Sequence, residues 1–126
     1  GIARAYCPDP EVILLDEPFG ALDAQTRYMM EEEIERICSQ ERRTVVFVTN
    51  NVEEAVYLAD RIIMMSPSPS VLVDEFIIDL PRPRNLISDE FLRWRKTITE
   101  RLEEISRLHD DGEPDQSCRE EENNVL

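Results

Sequence analysis

Val12-Ile-Leu-Leu-Asp-Glu-Pro-Phe-Gly-Ala-Leu-Asp23 decides how the chain is read. Four apolar residues, Val12 to Leu15, run into two adjacent carboxylates, Asp16 and Glu17, before Pro18 and Gly20 interrupt the run. A short apolar run between such breakers predicts a strand buried on both faces, the kind found in parallel sheets. Acids at the carboxyl end of such a strand stand where open α/β sheets bind their ligands. The pair suits nucleotide hydrolysis, the first acid for a Mg²⁺ ion and the second for a water. Apolar-Asp-Glu alone equally describes polar residues where a strand meets its loop.

Downstream, the spacing predicts a helix from Asp23 to about Ser39, with Met30, Ile34, Ile37 and Cys38 on one apolar face. Asp23 itself suits an N-cap. Arg27 with Glu31 and Glu32 with Arg36 fall at i,i+4 on the wet side, and Glu31-Glu32-Glu33 reads as a solvated run. After a polar turn at residues 40–43, Thr44-Val-Val-Phe-Val-Thr49 predicts a second buried parallel strand, completing a βαβ unit. Asn51 with Glu54 three residues on marks a helix start, Asn50 also suits a cap, and Val52, Ala55, Val56 and Ala59 form the buried stripe. Ile62–Met65 is a third strand, Ser66–Ser70 a turn, and Val71–Leu80 antiparallel edge structure. Leu80-Pro-Arg-Pro-Arg84, taken alone, is an extended linker. Phe91, Trp94, Ile98, Leu102, Ile105 and Leu108 then recur three or four apart, predicting an amphipathic helix from Ser88 to about Leu108. From residue 109 the chain is acidic and poor in apolar residues, so a disordered tail with an exposed His109 is expected.

The 126 residues suffice for one domain and carry a formal net charge of −14. That acidity argues against a nucleic-acid partner, which needs a basic face. No apolar run approaches a membrane span, and no signal peptide opens the chain. Cys7, Cys38 and Cys118 are odd in number and far apart, fitting neither a zinc site nor a disulfide framework, and pointing to a reducing compartment. Cys38 reads as a core residue. The chain opens on Gly1, and its first residues read like the middle of a domain, so a fragment is expected.

Asp16-Glu-Pro-Phe-Gly-Ala-Leu-Asp23 resembles the Walker B strand and D-loop of an ABC-type ATPase. Thr49-Asn-Asn51 before a Glu-Glu-Ala helix resembles that family's H-loop, and Leu80-Pro-Arg-Pro-Arg84 is similar to the ATPases of the nitrate, sulfonate and taurine import group. Gly1–Cys7, with Arg4, resembles the helix that follows the family's signature loop. The resemblance implies an α/β, P-loop NTPase-type partial domain with a parallel βαβ core. Residues 1–108 would be the C-terminal half of an ABC ATP-binding domain and 109–126 its acidic tail. It assigns Asp16 to Mg²⁺, Glu17 to polarising the attacking water, and Asp23 to a D-loop contact with the opposite subunit's nucleotide. Implied with these are the cofactors ATP and Mg²⁺, a second ATP-binding subunit, a membrane permease, an external solute-binding protein acting indirectly, and a peripheral place on the cytoplasmic face of the membrane.

One departure stands out. The family's H-loop carries His-Asp where this chain has Asn50-Asn51. The switch histidine bonds the γ-phosphate, and a shorter, neutral amide is differently aimed. Losing one such preorganised donor costs about 10²–10³ in rate, so impaired hydrolysis is expected. The chain also has no Gly-x-x-x-x-Gly-Lys-Ser/Thr loop, no Gln-loop segment and no signature loop, so by itself it is expected to be inactive. The reading is ATP binding and hydrolysis powering solute import by the complete subunit. Its rivals are a degenerate, non-hydrolysing regulatory or remnant ABC protein and a non-transport ABC ATPase.

Overall fold

The computed structural model describes residues 11–41 and 43–112. Strand β1 (Val12–Asp16) leads to helix α1 (Ala24–Gln40), and strand β2 (Thr44–Val48) returns parallel to β1. Val12 stands opposite Thr44 and Asp16 opposite Val48, so both strands end at one edge. Helix α2 (Val52–Leu58) follows, then β3 (Arg61–Met65) and β4 (Leu72–Ile77), an antiparallel pair with an irregularity at Met64/Met65. Helix α3 (Asp89–Asp110) completes the described fold. The architecture is α/β with a parallel strand–helix–strand core, as the residue pattern predicts.

Each helix starts where a short polar side chain can occupy the free N–H groups of the first turn. Asp23 accepts from the Thr26 amide at 2.8 Å, Asn51 from those of Glu53 and Glu54, and Ser88 from that of Phe91. Asp23 is exposed, and the Thr26 amide holds its carboxyl below the usual carboxylate range. Replacing Asp23 by alanine is expected to lower stability by loss of the cap. Urea unfolding of the full-length protein would measure it.

A single core joins these elements: Ile13 and Leu15 of β1, Ile34 of α1, Val56–Leu58 of α2, Met64, Ile78, and Phe91, Ile98 and Ile105 of α3. The three buried residues of α3 are spaced by sevens, a narrow seam on that helix. Leu108, expected on the same face, is 66% exposed. Trp94 stands at the edge of this seam, its ring packed edge-on against Phe76 and its indole N–H 3.3 Å from Asp79 Oδ1.

The structure corrects several expectations. Among the described residues the β1–β2 pair is covered on one face only: Ile13 and Leu15 point inward, while Leu14 is 73% exposed and Val12, Val46 and Val48 are also open. The period of two along a strand forces this split once a single face is packed. Glu31 is no part of a solvated run; it is buried with Ile34 and Glu35, and only Glu32 and Glu33 face water. The reason is rotational: residues 31, 34, 35 and 38 follow the helical period, and α2 packs on that stripe. Arg27 therefore pairs with Glu54 of α2, and Arg36 with Glu33 on the outer face. His109 is half-buried, with Nε2 3.0 Å from the Ser68 carbonyl, which fastens the end of α3 to the β3–β4 turn. Cys38 is half-buried, and burial pushes its thiol up, which suits an inert core position. Arg4, Cys7, Cys118 and the acidic tail beyond Gly112 lie outside the described residues.

Candidate functional site

The edge where β1 and β2 end opens into a cleft of about 290 Å³ lined by Glu17, Phe19, Gly20, Arg27, Thr49, Asn50, Asn51 and Glu54. Glu17 enters it through its backbone. Its amide still donates to the Val48 carbonyl at 2.8 Å, extending the strand pairing by one bond. The chain then turns at φ 41°, in the left-handed region. A side chain there costs roughly 1–3 kcal/mol and persists only where its surroundings hold it. The turn removes Glu17 from the alternation of β1 and sets it among the residues that line the cleft. The following residues lock it: Gly20 N–H donates to the Glu17 carbonyl, and Phe19, 1% exposed, packs a tilted ring on Phe47 of β2 at 5.5 Å.

Asp16 is not brought there. It stays in the strand, exposed on the same side as Leu14, and is not among the residues lining the cleft. The two adjacent acids thus diverge, one continuing the strand and the other leaving it. Asp23 also stands outside the cleft, at the head of α1.

The opposite wall is the start of α2. Asn51 is the cap, accepting from the Glu53 amide at 2.9 Å and the Glu54 amide at 3.4 Å. Its own amide donates to Glu54 Oε1 at 3.4 Å, and Thr49 Oγ1 donates to Glu54 Oε2 at 2.7 Å while accepting from Asn51 N–H at 3.0 Å. This network accounts for Thr49, Asn51 and Glu54 together. Asn50 takes no part in it; exposed, it faces the cleft. Of the two candidates for the cap, Asn51 has the position and Asn50 is left available.

Arg27, Thr49 and Glu54 line the site but were not legible as site residues. Arg27 donates to the Leu22 carbonyl at 3.3 Å and stands 3.9 Å from Glu54. Its Nε is buried and, among the described residues, has no hydrogen-bond partner, only the ion pair with Glu54. Just behind this wall, burial pushes the Glu31 carboxyl up to about 7, Glu54 adding to the shift and Arg27 opposing it. A carboxyl raised in the folded state loses stability as pH climbs from its unfolded value, near 4.5, to about 7. Glu31→Gln is therefore expected to gain roughly 1–2 kcal/mol relative to the parent between about pH 5 and pH 8, and to gain nothing further above that range. Unfolding curves across pH would show the gap open and then level off.

Among the described residues, no cluster of three or more His, Cys, Asp or Glu side chains forms a metal cage. Mg²⁺ does not need one: it takes one or two carboxylates and otherwise waters and phosphate oxygens. The exposed Asp16 carboxylate fits that demand, whereas Arg27 Nε is buried and paired with Glu54 at 3.9 Å. Two carboxylates, Glu17 and Glu54, against one guanidinium make the cleft a poor phosphate cradle by itself.

The relatives of this chain are ABC transporter ATP-binding proteins. An uncharacterized ABC transporter ATP-binding protein of Methanocaldococcus jannaschii is 50% identical over 97 residues, covering 77% of this chain and 36% of the relative. A putative ATP-binding protein of Brucella melitensis biotype 1 is 49% identical over 100 residues, 77% of this chain and 42% of the relative. The aliphatic sulfonates import ATP-binding protein of Bacillus cereus is 44% identical over 102 residues, 81% of this chain and 41% of the relative. The chain thus spans about two-fifths of the length of the curated relatives it matches. No protein-family model matches it. Among the described residues no helix is long and apolar enough to cross a membrane.

Proposed function

We propose that these residues form the catalytic-carboxylate side of an ATP-binding subunit that hydrolyses ATP to power solute import, in the nitrate, sulfonate and taurine group. The observation that carries the reading is Glu17, swung by a left-handed turn into a cleft whose other wall is Asn50 and Asn51. In this reading residues 1–108 correspond to the second half of a P-loop ATP-binding domain. The relatives' names support ATP as the nucleotide and solute import as the work done.

Bound Mg²⁺-ATP would supply the electrophilic γ-phosphoryl group and the metal's charge. The chain's own residues do the rest of what is assigned here. Glu17 accepts a hydrogen bond from a water and orients it, Asp16, beside the cleft at the end of β1, would hold the metal, and Asn50 donates an amide N–H toward the phosphate end. In this reading Asp23, exposed at the head of α1, meets a second ATP-binding subunit. Phosphoryl transfer of this kind needs positioning more than covalent chemistry. The phosphate cradle is not supplied by these residues. The partners in this reading are a second ATP-binding subunit and a membrane permease, with a solute-binding protein acting through the permease from outside. In this reading the subunit sits peripherally on the cytoplasmic face of the membrane.

The test is Mg²⁺-dependent ATP hydrolysis by the full-length protein, with affinity capture of a membrane permease. Turnover and capture together are expected. Capture without measurable turnover supports the second reading, a non-hydrolysing regulatory subunit, which is favoured by Asn50 standing where a histidine is usual. Turnover without a permease contradicts the transport assignment.

A further inference from the structure

The Leu80-Pro-Arg-Pro-Arg84 loop is not a linker in the folded chain. Arg84 has a side chain 1% exposed, and it lies across the last turn of α2. Its Nη1 donates to the carbonyls of Val56 at 2.7 Å, Tyr57 at 3.3 Å and Ala59 at 2.6 Å, while Nε donates to Leu80 at 3.2 Å. Arg82 Nη2 donates to the Leu58 carbonyl at 2.6 Å and to Asp60 at 3.1 Å, and its Nη1 stands 3.8 Å from Glu35 of α1.

A helix leaves its last four carbonyls without intrahelical partners. In α2 the Ala59 amide takes the Ala55 carbonyl, and the two arginines take those of Val56, Tyr57 and Leu58. Two cations at a helix C-terminus also oppose its negative dipole end. A buried guanidinium is costly unless its donors are met; the end of α2 meets Arg84 Nη1 and the Leu80 carbonyl meets its Nε, while Arg82 Nη1 is buried with only the 3.8 Å ion pair to Glu35 among the described residues. The consequence is mechanical. Helix α2 has seven residues, too few to be stable alone. One end is the wall of the cleft; the other is held by the loop.

We propose that Arg84, with Arg82 beside it, is a positioning residue for the candidate site, holding α2 so that Asn50 and Asn51 stand opposite Glu17. The catalytic half of this proposal rests on the functional reading above; the mechanical half does not. Among the described residues the first-turn amides of Glu53 and Glu54 are held by the Asn51 side chain, so they report the cleft end of the helix.

The experiment is amide hydrogen exchange in the full-length protein for Arg84→Met and Arg84→Lys, followed by ATP turnover. In Arg84→Met, exchange at Glu53 and Glu54 is expected to rise by about tenfold or more, with partial rescue in Arg84→Lys and little change in β1 and β2. Loosening confined to residues 56–59 would overturn the proposal, because Arg84 would then be an end cap and nothing more. Turnover is expected to fall with kcat while KM for ATP holds. Unchanged turnover beside loosened Glu53 and Glu54 would also overturn the catalytic role. If every variant, parent included, lacks turnover but the far-end amides loosen, the positioning stands and the ATPase assignment is what fails.

Discussion

Replacing Glu17 by glutamine is expected to slow ATP turnover of the full-length protein by about 10²–10³-fold while leaving ATP affinity unchanged. The two side chains have the same shape, so the left-handed turn, the Val48 pairing and the Phe19 anchor all remain. What is lost is an anionic acceptor for the proton of the attacking water. A structural role for Glu17 predicts the reverse, since glutamine would relieve any charge repulsion with Glu54 across the cleft and leave turnover alone. Steady-state hydrolysis with a parallel nucleotide-binding titration separates the two.

The second large effect runs in the opposite direction. Asn50→His is expected to raise turnover by about 10²–10³-fold, the worth of one preorganised donor at the transition state. Asn50 can be exchanged without harm to the helix, because Asn51 carries the cap and no hydrogen bond to the described residues would be broken. An imidazole reaches further than an amide and can carry charge. Unchanged, already rapid turnover in both proteins would show that Asn50 is no handicap.

How much of this was legible in the sequence follows the range of the interactions. Strand β1, the parallel return of β2 and the starts of α1 and α2 were readable because each rests on neighbours a few residues apart: apolar runs, Asp23 before Thr26, Asn51 before Glu54. The antiparallel β3–β4 pair was readable from its turn. Glu31 was misread because periodicity gives a stripe its spacing but not its phase. Only the packing of α2 on α1 decides that Glu31 faces inward.

The candidate site was half legible. The acids and the Asn50 substitution stand in the sequence, but the divergence of Asp16 and Glu17 depends on one backbone angle that composition does not encode. Arg27 enters the cleft because Glu54, 27 residues on, is there to meet it. Arg84 reaches back to Val56 across 28 residues. Pro-Arg-Pro-Arg looks like a linker when read locally, since nothing near it in sequence needs two arginines. The carbonyls that need them belong to another element.

Glu17 and Asn50 are expected to act on one reaction from the two walls of one cleft. A double-mutant cycle on ATP turnover, with Glu17→Gln, Asn50→His and the pair together in the full-length protein, tests it most directly. The histidine's gain is expected largely to disappear when Glu17 is glutamine, since a better-held phosphate has no activated water to meet. The same fold gain with and without Glu17 would contradict it, placing the two residues in separate steps or outside catalysis.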